Sequence, residues 1–202
     1  MAPRLDNTHR RKPRADAQKN RELLIKAARE VLGPGGPHAS LEAVARRAGV
    51  GIGTLYRHFP NREALFHAVF SEDLDRLKEL AQALDGSNDP IEALRGWLHD
   101  NVAMVETKRG MLGALSIVMT DVSKSAYTER ADDMRAPVNR LLAQAIQAGQ
   151  VRDGVSAEDL LQTMFALCYT RDPGPDWRDH VLKLMDIFVD GLRPPPSQDT
   201  AD

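Results

Sequence analysis

The chain has 202 residues, of which 42% are hydrophobic and 28% charged, a composition typical of a soluble globular protein. Its single cysteine excludes a disulfide framework and a zinc site built from several thiolates. The longest dense apolar stretch, residues 112–119, is too short to cross a bilayer, and the basic N-terminus lacks the apolar segment of a signal peptide. We therefore expect a cytoplasmic protein with no membrane partner.

The net charge of −2 hides a strong asymmetry along the chain. Residues 1–62 contain 13 Lys and Arg against 5 Asp and Glu, a balance of +8. The remaining 140 residues contain 14 basic and 24 acidic side chains, a balance of −10. This asymmetry indicates a first part that faces a polyanion and a second part with other partners, although a merely solvated basic face would give the same counts.

Helical periodicity runs through the chain and no segment alternates with a period of two, so we predict an all-α fold. Residues 1–16 are basic and nearly free of apolar side chains, which predicts a disordered basic arm. A first amphipathic helix is predicted over 17–32. It ends at the Gly- and Pro-rich segment 33–37, because these residues remove backbone donors and admit positive φ.

Two short helices joined by a tight turn follow. The second helix starts after its N-cap Ser40 and ends at Gly49, and the third covers about 52–57. Such a pair, supported by a preceding helix, forms the helix-turn-helix that places its second helix in the major groove of DNA. Plain packing of small helices would give the same periodicity, and the basic balance together with the polar side chains at 54–62 favours DNA.

The rest of the chain is also predicted to be helical. A long fourth helix over 62–84, with Asn61 as its N-cap, is long enough to join two domains. Further helices are predicted from Asp89 to Gly110, over 111–121, over 123–148 with a kink at Pro137, from the capping box at Ser156 to Tyr169, and over 177–192, before a disordered tail at 193–202.

The segment LEAVARRAGVGIGTLYRHFPNREAL at residues 41–65 combines a turn, a recognition helix and the start of the long helix. It resembles the core of the TetR/AcrR family of bacterial regulators. The resemblance extends over 17–66, and beyond it only the helical layout agrees. It implies an N-terminal three-helix helix-turn-helix DNA-binding domain over 17–63, joined by a long helix to a C-terminal helical domain over 64–192 for effector binding and dimerisation.

The resemblance also implies roles for individual side chains. Tyr56 and His58 correspond to positions that contact DNA phosphates, Thr54 to one that contacts backbone or base, and Arg62 replaces a common lysine. The resemblance places residues 51–53 where the family reads bases, and because two glycines are poor hydrogen-bonding readers, we expect Ile52 to contact thymine methyl groups. Alternatively, some of the specificity falls to Arg46, Arg47, Arg57 and the arm, or to DNA shape. The predicted DNA-contacting residues are Ser40, Arg46, Arg47, Gly51, Ile52, Gly53, Thr54, Tyr56, Arg57, His58 and Arg62, with Arg10, Arg11, Lys12 and Arg14 from the arm.

Operator binding by such a domain normally requires a homodimer, and the resemblance places the dimer interface on the last two helices. The predicted interface residues are Leu161, Met164, Phe165, Cys168, Leu184, Ile187 and Phe188. The resemblance further implies a cavity among the middle helices for a small, largely apolar effector. Its candidate residues are Trp97, His99, Asn101, Met104, Met111, Leu115, Met119, Asp121 and Phe165. For both sets, packing in an ordinary core is the alternative.

These observations predict a homodimeric, ligand-responsive repressor that binds a palindromic double-stranded operator and is released when a small molecule binds. A regulator controlled by a partner protein or by no effector stays open, and so does a helical-bundle enzyme. Against the enzyme, the sequence contains no Glu-x-x-His pair, no glycine-rich phosphate loop and no Ser/His or Cys/His motif. We therefore expect no catalytic residues, no metal and no cofactor.

Overall fold

The computed structural model describes residues 11–34, 39–114, 134–172 and 174–195. Within these ranges the chain forms eight helices and no strand, which confirms the predicted all-α fold. The helices are α1 (Arg11–Leu32), α2 (Leu41–Arg47), α3 (Ile52–His58), α4 (Arg62–Ala83), α5 (Pro90–Ala114), α6 (Arg135–Gln147), α7 (Ala157–Tyr169) and α8 (Trp177–Asp190).

Helix α1 begins at Arg11, well before its predicted start at residue 17. Lys, Arg, Ala and Gln dominate its first ten residues, and all four are strong helix formers. Pro13 lies in the first turn, where the backbone N–H groups have no intrahelical partner to lose. The prediction of a disordered arm is therefore wrong for residues 11–16, and residues 1–10 lie outside the described ranges.

The turn between α2 and α3 has the predicted chemistry. Ser40 caps α2, because its Oγ accepts a hydrogen bond from the Ala43 N–H at 3.1 Å. Gly49 follows α2 with a φ of 71°, in the left-handed region that favours glycine. The Val50 N–H donates to the Ala45 carbonyl at 3.0 Å and closes the turn two residues before α3 begins.

A first compact unit contains the described residues up to Val69 and a further piece of chain that starts at Thr107, inside α5. The unit extends past the predicted domain boundary at residue 63, because the first two turns of α4 bury their apolar side chains in it. Its buried core includes Leu24, Ile25, Leu32, Leu41, Val44, Leu55, Phe59, Leu65, Phe66 and Val69.

Helix α5 continues through Gly110, where the sequence predicted a break. A Cβ at this position would overlap the carbonyl oxygen of Gly33, which follows α1 directly, and both glycines belong to the first unit. Glycine is therefore needed here for close contact between two backbones and not to end a helix. The prediction of a separate helix from residue 111 is wrong for 111–114, and residues 115–121 are outside the described part of the chain.

The second unit contains residues 70–106 and the described residues from 134 onward. Two tryptophans are among its largest buried side chains. The Trp97 Nε1–H donates to the Leu77 carbonyl at 2.9 Å, and the Trp177 Nε1–H donates to the Cys168 carbonyl at 3.3 Å. Both indole N–H groups are therefore satisfied inside the core, as burial of a polar group requires.

Two predictions for the later helices have different outcomes. Pro137 lies in the first turn of α6, where a missing N–H breaks no hydrogen bond, so the predicted kink is wrong. The earlier part of that predicted helix, residues 123–133, lies outside the described ranges.

The predicted capping box before α7 is confirmed. The Asp159 N–H donates to Ser156 Oγ at 3.1 Å, and the Ser156 N–H donates to Asp159 Oδ2 at 2.9 Å.

Candidate nucleic-acid interface

The inner face of α3 is fixed by apolar contacts. Leu55 and Phe59 are only 1% and 2% exposed, so one side of the helix is anchored in the first unit. The guanidinium carbon of Arg21, on α1, lies 5.5 Å from the centre of the Phe59 ring, which is the distance of a cation–π contact. The sequence alone does not predict this contact, because a pairing between residues far apart in the chain has no local signal.

The opposite face of α3 is exposed. Ile52 and Tyr56, one helical turn apart, are 38% and 46% exposed, and the glycines on either side of Ile52 are open as well. Thr54 and His58 are half-buried. The structure therefore brings the predicted residues of α3 together on a helix whose other side is held rigidly, which is the arrangement that insertion into a major groove requires.

The arginines near α3 differ in their contacts. Arg46, Arg47, Arg57 and Arg62 are all exposed. Arg57 Nε donates to the Gly53 carbonyl at 3.2 Å. Arg47 Nε pairs with Glu30 Oε2 at 2.6 Å and so joins α2 to α1, a contact that no local spacing predicts. Because this pair is exposed to solvent, we expect it to add little stability.

The remaining predicted contacts lie nearer the N-terminus. Ser40 is half-buried, and its Oγ already accepts the capping hydrogen bond of α2. Arg11, Lys12 and Arg14 lie in the first turns of α1. Arg10 lies outside the described ranges.

The candidate effector residues do not all fall in one unit. Trp97, Asn101 and Met104 are buried in the second unit, where the Asn101 Nδ2–H donates to the Trp97 carbonyl at 2.9 Å. Met111 is buried in the first unit, and Phe165 is half-buried in the second. The described contacts of Trp97 and Asn101 are those of core residues. Three further candidates, Leu115, Met119 and Asp121, lie outside the described residues.

A charged cluster around Arg95 joins α5 to α8. Arg95 pairs with Asp186 Oδ1 at 3.0 Å, with Glu92 Oε2 at 3.0 Å and with Asp190, and His99 Nε2 lies 2.8 Å from Asp186 Oδ1. Burial would raise the pKa of Asp186, but hydrogen bonds from Arg95 and His99 outweigh burial and hold that pKa below its ordinary value. His99, a candidate effector residue in the sequence, thus contacts a carboxylate of its own unit. The i, i+3 spacing of Glu92 and Arg95 was the only local signal for this cluster.

An apolar surface remains on α7 and α8. Ile187 is 60% exposed, and four more of the predicted interface residues are half-buried, namely Leu161, Phe165, Leu184 and Phe188. Met164 and Cys168 are fully buried within their own unit, where Cys168 Sγ lies 3.9 Å from Met164 Sδ. Contrary to the prediction, these two side chains do not lie on the surface, because they face the core side of α7.

Two family models match the chain. The model of the tetR family of bacterial regulatory proteins matches residues 24–69, and the model of the C-terminal domain of SbtR-like transcriptional regulators matches residues 89–194. Among curated relatives, the HTH-type transcriptional regulator UidR of Escherichia coli K12 is 30% identical over 158 residues, which cover 78% of this chain and 67% of that protein.

Solved structures agree with these matches. The TetR transcriptional regulator SCO0520 from Streptomyces coelicolor is 32% identical, with a TM-score of 0.71 over 87% of this chain and 99% of that one. A TetR regulatory protein from Mycobacterium vanbaalenii is 30% identical, with a TM-score of 0.68 over 90% and 99% of the two chains. FadR from Bacillus subtilis, solved with stearoyl-CoA, is 18% identical with a TM-score of 0.58 over 85% and 99%, and shares the fold.

Proposed function

Because the chain belongs to the TetR family of bacterial transcriptional regulators, we propose that it binds a palindromic operator as a homodimer and represses transcription until a small molecule binds its second unit. The observation that carries the proposal is the two-sided nature of α3. Buried Leu55 and Phe59 hold one face, while Ile52 and Tyr56 stand exposed on the other. A helix held in this way can enter a major groove without reorganising its own domain.

The charge around α3 supports a nucleic-acid partner. Exposed Arg46, Arg57 and Arg62 lie on α2, on α3 and at the start of α4, within the stretch of chain that has a balance of +8. Contacts from such side chains to phosphates position a protein on DNA, and base contacts then supply the specificity. The Tyr56 hydroxyl and the His58 ring are further candidates for phosphate contacts.

The apolar surface of α7 and α8 supports a homodimer. Ile187 is 60% exposed, and Leu184 and Phe188, three residues before it and one after it on α8, are half-buried, as are Leu161 and Phe165 one turn apart on α7. Several incompletely buried apolar side chains on two helices are more than scattered single residues would give. A second copy of the same surface would cover it in a two-fold symmetric interface. Two-fold symmetry in the protein implies a palindromic operator, with half-sites about one helical turn of DNA apart or a multiple of that distance.

A small, largely apolar effector is the part of the proposal with the least direct support. Trp97 and Met104 form part of a largely apolar interior in the second unit, and the fold is shared with a FadR solved with stearoyl-CoA, although at 18% identity. An effector releases DNA only if it binds the two conformations of the regulator with different affinity. An operator-binding role places the protein in the cytoplasm, and it requires neither a cofactor nor catalysis.

Fluorescence anisotropy tests the proposal. The purified full chain is titrated onto labelled duplexes that tile the DNA upstream of its own gene, and onto scrambled duplexes of the same composition, across a series of salt concentrations. We expect one duplex to bind a dimer, with an affinity about a thousandfold higher than the scrambled DNA and a steep fall with added salt. Equal affinity for every duplex, at every salt concentration, would contradict operator recognition.

The same assay tests the effector. Small apolar molecules such as fatty acids and their thioesters are added to the preformed complex, with polar metabolites of similar size as controls. We expect an apolar compound to release the DNA. If none of the compounds changes the affinity while a cellular protein does, control by a partner protein is the better account.

A further inference from the structure

We propose that Ile52 reads thymine. Its side chain packs against the 5-methyl group of one thymine in each half-site, so that the operator carries a thymine at this position of both half-sites. The inference rests on the DNA-binding role proposed above, and it deepens that role by naming the base and the residue that selects it.

Ile52 lies on the exposed face of α3. Ile52 is 38% exposed, whereas Leu55 on the same short helix is buried. Ile52 lies one turn before the exposed Tyr56, and residues at this spacing share one face of a helix. The part of this aliphatic side chain that its own domain leaves uncovered is available for contact with a ligand.

A glycine lies on either side of Ile52, at positions 51 and 53. A Cβ at Gly51 or at Gly53 would meet nothing within 4 Å, and neither glycine has a φ in the left-handed region. Nothing within the described chain therefore requires glycine at these positions, although glycine is a poor helix former. Between residues 51 and 53 the two glycines leave Ile52 as the only side chain, and the bare backbone on either side of it can approach the floor of the groove.

The major groove of DNA presents mostly polar groups. Donors and acceptors line the edges of all four base pairs, and the C5-methyl group of thymine is the one apolar group. No residue from 51 to 53 has a side chain that hydrogen-bonds. The group in the major groove that best matches Ile52, an apolar side chain flanked by bare backbone, is therefore the thymine methyl group.

The charges nearby favour this occupant over an apolar protein segment. Arg46, Arg57 and Arg62 are exposed on α2, on α3 and at the start of α4, and exposed arginines can pair with the phosphates that border a major groove. DNA offers both partners at once: the thymine methyl group for the apolar side chain of Ile52, and the phosphates for the exposed arginines.

Deoxyuridine substitution tests the inference, because it removes the methyl group and leaves every hydrogen bond of the base pair unchanged. A specific duplex is first selected from random sequences with the full-length protein. Each thymine pair related by the operator's symmetry is then replaced by deoxyuridine. We expect one symmetric pair to weaken binding about fourfold per half-site, and about fifteenfold for both, which is the effect of losing one buried methyl group at each.

Ile52→Ala removes the protein side of the proposed contact, as deoxyuridine removes the DNA side. We expect this variant to bind the thymine duplex more weakly and to lose the sensitivity to deoxyuridine at that pair, whereas Ile52→Val keeps most of it. Leu23→Ala is the matched control, because Leu23 is also 38% exposed but lies on α1; it should keep the full sensitivity. Circular dichroism verifies that each variant is folded.

Failure of this inference is distinguishable from failure of the proposed function. Specific binding with no thymine pair sensitive to deoxyuridine, or with equal sensitivity in wild type and Ile52→Ala, overturns the assignment of Ile52 and leaves operator binding intact. Failure to select any specific duplex overturns operator binding, and the role of Ile52 with it.

Discussion

Tyr56 carries an apolar ring and a hydroxyl on the exposed face of α3, and the two parts can be separated by a single substitution. We expect Tyr56→Phe to weaken operator binding by about tenfold, because it removes hydrogen bonds from the hydroxyl to DNA phosphates. The free energy of unfolding should stay nearly unchanged, since Tyr56 is 46% exposed and the substitution keeps its ring. Tyr169→Phe makes the same chemical change at an exposed tyrosine of the second unit and should bind DNA like the wild type. Equal affinity for both variants would place Tyr56 outside the interface.

The stability that the Asp186 side chain contributes should depend on pH. Its pKa lies below the ordinary value of 3.8, so the native carboxylate adds stability above about pH 3.8 that is lost as the pH falls through the lowered pKa. We expect Asp186→Asn to lower the free energy of unfolding at pH 7 by roughly 0.5–1 kcal/mol, a small value because the carboxylate is partly exposed. The difference from the wild type should shrink toward pH 3.

Urea denaturation at both pH values measures this difference. Asp153→Asn, at an exposed acid outside the Arg95 cluster, is the control and should change stability little at either pH. A difference for Asp186→Asn that persists unchanged at pH 3 would mean that the carboxylate charge is not what stabilises the cluster.

At the scale of the elements, α5 contains a glycine that lies against another backbone. Ala at 110 would place a Cβ against the Gly33 carbonyl, whereas Ala at 113 would meet nothing within 4 Å. We therefore expect Gly110→Ala to lower the free energy of unfolding by about 1–3 kcal/mol through overpacking. Gly113→Ala should raise it by up to about 1 kcal/mol, because alanine is the better helix former.

Urea unfolding of the full chain, followed by circular dichroism, compares the two variants. Because both substitutions add the same methyl group to the same helix, only the local surroundings differ between them. Equal stabilisation of both variants would show that the contact between Gly33 and Gly110 is not needed for the fold.

At the scale of the whole molecule, the apolar surface of α7 and α8 predicts the oligomeric state. We expect Ile187→Glu to convert the dimer into a monomer at micromolar concentration, because it would bury a charge in an apolar interface. Operator affinity should fall as well, since one protomer contacts only one half-site. Asn139→Glu adds the same charge on the exposed side of α6 and should leave the dimer intact.

Sedimentation velocity separates the two states directly. A dimer that persists in Ile187→Glu would contradict the proposed interface. A wild-type chain that sediments as a monomer would contradict the homodimer itself.

Local chemistry determined much of this protein. The cap at Ser40, the turn at Gly49 and the capping box at Ser156 each depend on residues within a few positions of one another, and the structure has all three as predicted. The same holds for the helix-turn-helix, because caps and helical periodicity are properties of neighbouring residues. The family resemblance of residues 41–65 is a property of the sequence alone, and it supplied the proposed roles along α3.

Tertiary structure decided the rest. Gly110 has the sequence signal of a helix end, yet it lies inside α5 because another backbone passes against it. Met164 and Cys168 share an apolar helix with Leu161, and only packing distinguishes the buried side chains from the half-exposed one. The Arg95 cluster and the pair of Arg47 with Glu30 join residues far apart in the chain. Such contacts have no local signature, because they depend on which faces of distant helices meet after the chain has folded.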